Sequence, residues 1–184
     1  MLVRHGQTEW SASGRHTSRT DLPLLQEGRA RAEDLADLLA GRQFSLVLCS
    51  PLRRARETCQ LAGFGEVAVV CDELHEWEYG DYEGLTTPEI RTERPDWNLW
   101  RDGCPGGETP DQVGTRADAV LQQARAAAGD ALLFAHGHIL RVLGARWIEM
   151  PVAAGARLAL AAGAVSVLGY ERETQVVREW NLNE

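Results

Sequence analysis

The sequence predicts an α/β domain with a mainly parallel central sheet and helices on both faces, and three observations carry that prediction. Short continuous apolar runs such as "FSLVLCS" and "ALLFAHG" read as strands buried on both faces. The stretches between them place apolar residues at helical spacing, with Ser, Thr, Pro and Gly at the boundaries. Strands and helices then alternate along the chain, as strand–helix–strand units require.

The first strand is short, residues 2–3, and runs into a long loop whose later part, "RTDLPL", turns at Asp21 and Pro23. A helix follows over residues 27–40, where Leu35, Leu38 and Leu39 share a face and Gly41 ends it. "FSLVLCS" is the second strand. Ser50-Pro51 reads as a helix start, with Ser as N-cap and Pro at the first helical position, and that helix runs to about Ala62. "EVAVVCD" is the next predicted strand. Residues 74–107, rich in Trp, Gly and Pro, are expected to be mostly irregular around a short helix near Thr87–Glu93. Thr109 or Pro110 opens a helix ending near Gly129, "ALLFAHG" is a strong strand, and "HILRVLGARWIEM" is a helix. Residues 157–160, 164–170 and 176–180 look like closing strands. No repeat or low-complexity linker interrupts this order, so residues 1–184 read as one domain, long enough to bury a sizeable core.

Composition narrows the function. Apolar stretches such as "LALAAGAV" are too short to span a bilayer, and no leader with a charged n-region opens the sequence, so a cytoplasmic protein without a membrane partner is expected. Cys49, Cys59, Cys71 and Cys104 lie far apart, without C-x-x-C or a His/Cys cluster, and read as packed thiols with no metal site. A net charge of −8 argues against nucleic acid. All 19 basic residues are arginine, so a P-loop lysine and a Schiff-base lysine are excluded. Any anion must be held by guanidinium, imidazole and backbone N–H groups.

In α/β folds ligands gather beyond the carboxyl ends of the strands. Three strands here end in "RHG", "SPLRR" and "HGH", which brings Arg4, His5, Arg53 or Arg54, and His136 toward one crevice. That set of groups suits a phosphoryl group.

The motifs "RHGQTEW", "SPLRRARET", "LHEWEYGDYEG" and "FAHGHILR" resemble, in order and across nearly the whole chain, those of the histidine phosphatase superfamily, with a phosphoglycerate mutase-like fold. "RHGQTEWSASG", "TDLPL", "WRDGCPGGET" and "AHGHILR" look most like its small sugar-phosphate and sugar-bisphosphate phosphatases and broad-specificity acid phosphatases. The resemblance implies catalytic roles for Arg4, His5, Arg54, Glu76 and His136. His5 would be the nucleophile that forms a phosphohistidine, with Arg4, Arg54 and His136 around the phosphoryl oxygens. Nearby cations would keep His5 unprotonated, and Glu76 would protonate the leaving group. The family pattern puts the clamp at Arg54, directly before Ala55, and leaves Arg53 at the surface. Ser11, Thr17, Gly137 and Arg141 are implied substrate contacts, although many relatives place Asn where Ser11 stands. Glu78, Asp81 and Glu83 read as loop carboxylates or structural acceptors. His16, His75 and His138 are expected outside the core constellation, with His138 a candidate for its rim. Relatives begin the first strand several residues earlier, so an upstream start or omitted residues are expected.

The function implied is a metal-independent phosphatase of small phosphorylated metabolites that needs no cofactor. The alternatives are a cofactor-dependent phosphoglycerate mutase and a non-catalytic anion-binding scaffold. Against the mutase, the chain lacks the insertion after the acidic loop and the extended tail that would shield phosphohistidine from water. The substrate and the oligomeric state stay open, with a homodimer among the options.

Overall fold

Six strands form one sheet in the order β3-β2-β4-β1-β5-β6 in a computed structural model that describes residues 1–183. The strands are β1 (Leu2–Arg4), β2 (Leu46–Cys49), β3 (Val69–Val70), β4 (Ala131–Ala135), β5 (Val165–Glu171) and β6 (Thr174–Leu182). β1 to β4 pair in parallel, and the β5–β6 hairpin closes the sheet antiparallel to β1. The helices are α1 (Glu9–Ser13), α2 (Gln26–Leu39), α3 (Arg53–Leu61), α4 (Thr87–Glu93), α5 (Leu99–Asp102), α6 (Pro110–Ala126) and α7 (Gly137–Trp147).

The strand period sorts the core into two layers. Val3, Val47, Cys49, Leu132 and Phe134 face one way and pack with Leu35, Leu39, Ala55 and Cys59 of α2 and α3. Leu2, Leu48, Leu133 and Ala135 face the other way, onto Val113, Val120, Ile139, Leu140 and Leu143 of α6 and α7. Both faces are covered, so the central strands carry the continuous apolar runs that made them legible. All four cysteines are buried and free. No helix among the described residues is long and apolar enough to cross a membrane.

Several elements differ from the sequence reading. α3 begins at Arg53 after Leu52, whose apolar side chain makes no cap, while the Ser50 hydroxyl lies 2.6 Å from His136 Nε2 and accepts from Leu52 N–H at 3.4 Å, just before the helix. Of "EVAVVCD", only Val69 and Val70 pair, since β3 is the sheet edge and has a partner on one side alone. Residues 157–160 are not a strand. They follow a 3₁₀ segment, Val152–Arg157, and the Leu160 carbonyl accepts from Arg4. The two short helices α1 and α5 fall in stretches read as irregular, and α6 stops at Ala126 rather than near Gly129.

Candidate active site

Strand register builds the centre of the site. Arg4 of β1 lies opposite Ala135 of β4, so the next residues, His5 and His136, leave parallel strands side by side. The His5 N–H donates to the Ala135 carbonyl at 3.0 Å, and the two imidazole centroids are 5.1 Å apart. Cys49 of β2 pairs with Phe134, and Ser50 N–H donates to the Phe134 carbonyl. This sets the Ser50 hydroxyl 2.6 Å from His136 Nε2. The chain after His5 crosses the start of α2 at two glycines. A Cβ on Gly6 would lie 2.2 Å from the Gly28 carbonyl oxygen, and one on Gly28 would lie 2.3 Å from that of Gln7. Thr58 of α3 fastens the same turn by accepting from Gly6 N–H at 3.0 Å.

His5 is 5% exposed and lines a cleft of about 240 Å³. Its Nδ1 is 2.7 Å from the Gly6 carbonyl, which can only accept, so the ring proton is on Nδ1 and Nε2 keeps its lone pair. Burial holds the His5 pKa well below 6.5, and the Arg54 and Arg4 guanidiniums push it the same way. The sequence reading credited those cations, but desolvation is the larger cause. Arg4 lines the cleft, donates from one guanidinium nitrogen to the Leu160 carbonyl, and has a buried Nε with no partner among the described residues. A buried unpaired donor beside the nucleophile suits an incoming anion.

His136 and Arg54 stand behind that wall, both fully buried. Arg54 Nε donates to His136 Nδ1 at 3.1 Å, and its other nitrogens donate to the carbonyls of Thr17, Ser18 and Thr20. With Nδ1 accepting, His136 carries its proton on Nε2 and donates to Ser50. Burial, and then Arg54, hold the His136 pKa well below 6.5. Arg53 is on the surface, paired with Glu57 at 2.7 Å.

Glu76 lines the cleft at 5% exposure and is fixed by three backbone N–H groups. Trp77 and Ile139 donate to Oε1 and His138 to Oε2, each at 2.9 Å. Two of these belong to the first turn of α7. Arg116 pins the loop behind it by donating to the carbonyls of Glu73, His75 and Glu76 while gripping both oxygens of Glu108. Glu83 accepts from Ser18 and Thr20 N–H and so shapes the turn whose carbonyls hold Arg54, the structural-acceptor role expected of these carboxylates.

Ser11, Thr17, Gly137 and Arg141 all line the cleft. The Ser11 hydroxyl is engaged with Thr8 in a reciprocal cap of α1. Thr17 donates its hydroxyl to the Arg15 carbonyl. Gly137 sits against Arg4, whose guanidinium carbon a Cβ would meet at 3.3 Å. Arg141 lies 4.6 Å from the Trp100 ring centroid and donates to the Gly155 and Ala156 carbonyls. His16 also lines the cleft, which corrects its expected place outside, and His138 lines it as well. His75 lies in a neighbouring hollow with Asp72 and Glu78. The sequence reading missed Thr8, Gly14, Arg15, Tyr79, Thr87 and Leu160 of the lining. Tyr79 sits within the quoted acidic loop, so only its direction was hidden, whereas Leu160 had no signal.

A family model described as the histidine phosphatase superfamily (branch 1) matches residues 1–183. An acid phosphatase of Mycobacterium tuberculosis is 43% identical over 93% of this chain and 86% of its own. A sedoheptulose 1,7-bisphosphatase of Saccharomyces cerevisiae is 40% identical over 83% of this chain and 68% of its own. Among solved structures, that of a Mycobacterium tuberculosis open reading frame has a TM-score of 0.94 at 40% identity, covering 99% of this chain and 96% of that one. A mycobacterial glucosyl-3-phosphoglycerate phosphatase with VO3 has a TM-score of 0.86 at 30% identity, covering 98% and 96%.

Proposed function

Because the chain belongs to the histidine phosphatase superfamily, branch 1, we propose that it hydrolyses phosphate monoesters of small metabolites by way of a phosphohistidine at His5. The observation that carries this reading is the His5 tautomer: the Gly6 carbonyl accepts from Nδ1–H, which leaves the Nε2 lone pair free as a nucleophile in a cleft lined by Arg4. In the first step the Nε2 lone pair bonds to phosphorus in line, the ester P–O bond breaks, and Glu76 gives a proton to the departing oxygen. In the second, water attacks phosphorus, its proton passes to Glu76, and the P–N bond breaks to release phosphate. Arg4 meets the phosphoryl oxygens with N–H groups and positive charge, Arg54 adds its charge from behind, and neutral His136 holds Arg54 in place through Nδ1.

Relatives named as phosphatases at 43% and 40% identity support hydrolysis over a mutase, which the relatives at 32% include. No residue in this scheme calls on a metal or cofactor. The partner is a small phosphorylated metabolite of sugar-phosphate or bisphosphate type, handled in the cytoplasm, with nucleic acid and membrane playing no part. A panel of phosphorylated sugars, glycerates and nucleotides assayed for released phosphate tests the reading. Turnover of several small esters, unchanged by EDTA and abolished by His5→Ala, is expected. Turnover retained in His5→Ala would overturn it.

A further inference from the structure

One wall of the cleft is formed by a histidine that the proposed chemistry leaves unused. His138 stands in the first turn of α7, beside the proposed acid: its backbone N–H holds Glu76 Oε2, and its ring Nδ1 is 3.8 Å from that oxygen, beyond hydrogen-bond reach. Nδ1 instead lies 2.6 Å from the Tyr79 hydroxyl. Tyr79 is 2% exposed, and His138 is the one partner of its hydroxyl among the described residues. If Nδ1 carried the proton, the buried phenolic hydrogen would have no acceptor, so the phenol donates and Nδ1 accepts. The ring proton is therefore on Nε2, which has no partner among the described residues and is not sealed from the cleft. The rings of Trp100, His16 and Trp77 stand 5.4, 6.1 and 6.4 Å from it and hold its orientation.

We propose that His138 is a specificity-determining residue whose Nε2–H, oriented by Tyr79, donates to a hydroxyl or carbonyl oxygen of the leaving group and so favours polyol and sugar phosphates over esters of plain alcohols. The proposal rests on the phosphatase reading and deepens it, because that reading names a sugar-phosphate type of substrate without a residue that selects it. Burial keeps the ring neutral, so the donor persists without a full charge.

Glycerol 3-phosphate and propyl phosphate share the phosphoryl group and carbon chain and differ in the hydroxyls. His138→Phe should lower kcat/KM for glycerol 3-phosphate about tenfold more than for propyl phosphate. His138→Gln carries an amide N–H near the same position and should recover most of the preference, which a folding defect would not allow. Histidine ¹⁵N spectra should show His138 as the Nε2–H tautomer, and Tyr79→Phe should shift it toward a mixture. Equal losses on both esters, or an Nδ1–H tautomer, would overturn the proposal alone. A wild-type protein inert toward both esters would overturn the phosphatase reading as well.

Discussion

Arg54 spends four of its five N–H groups inside the protein, on His136 Nδ1 and three loop carbonyls. It therefore organises the site as well as charging it. The motif showed that an arginine belongs before Ala55, but nothing in the sequence showed that its fork would be filled by the turn at Thr17, Ser18 and Thr20. Glu76 is held with equal definition, and its role separates by leaving group. Glu76→Gln should slow hydrolysis of alkyl phosphates by about 10²–10⁴-fold, while p-nitrophenyl phosphate, whose alcohol departs as an anion, loses much less. The amide also sets an NH₂ against a backbone N–H, so some loss of stability, about 1–3 kcal/mol, accompanies the substitution. Equal rate losses on both esters would assign Glu76 to positioning.

Among the elements, the strand ends were legible because buried parallel strands are apolar up to the residue where polar chemistry begins. "RHG", "SPL" and "HGH" marked those ends, and the register of β1 with β4 accounts for His5 beside His136. The helix boundaries were less legible. Ser50 has the type of an N-cap, but the helix starts three residues later at Arg53, and the Ser50 hydroxyl serves His136 as well as the Leu52 N–H. α1 was missed because its reciprocal cap uses Ser11 where Glu or Gln would have advertised it. The crossing of the His5 turn over α2 gives a prediction at this scale. Gly28→Ala would place a Cβ 2.3 Å from backbone and force the turn to move. A cost of about 1–3 kcal/mol and a loss of at least about tenfold in kcat/KM are expected, read by thermal melts and by kinetics on one ester. Wild-type rates in the variant would show that the crossing does not set the position of His5.

Over the whole molecule, His5, His16, His136 and His138 are all held neutral by burial, with the His16 pKa lowered to about 4. Above pH 6.5 such a group is neutral in folded and unfolded chains alike. As pH falls from 6.5 toward 4, the unfolded chain takes a proton that the folded one refuses, so stability is lost, by up to about 3 kcal/mol for His16. The melting temperature should therefore fall between pH 7 and pH 5, and His16→Phe should flatten that fall by a few degrees. A fall equally steep in the variant would remove His16 from the account. The mainly parallel sheet followed from alternation in the sequence, whereas its closure by the single β5–β6 hairpin did not, because residues 157–160 also read as a strand. The edge of the sheet did not, because "EVAVVCD" has the composition of a strand along a length that finds a partner only at Val69 and Val70.

The central claim is that His5 Nε2 becomes phosphorylated, and trapping the intermediate tests it most directly. Rapid quenching of the protein during turnover of a ³²P-labelled sugar phosphate should yield label that is stable to alkali, labile to acid and located by mass spectrometry on His5, with none in His5→Ala. Label on another residue, or steady turnover with no phosphoenzyme at any quench time while Arg4 and Glu76 variants still lose activity, would contradict the account and point to direct attack by water.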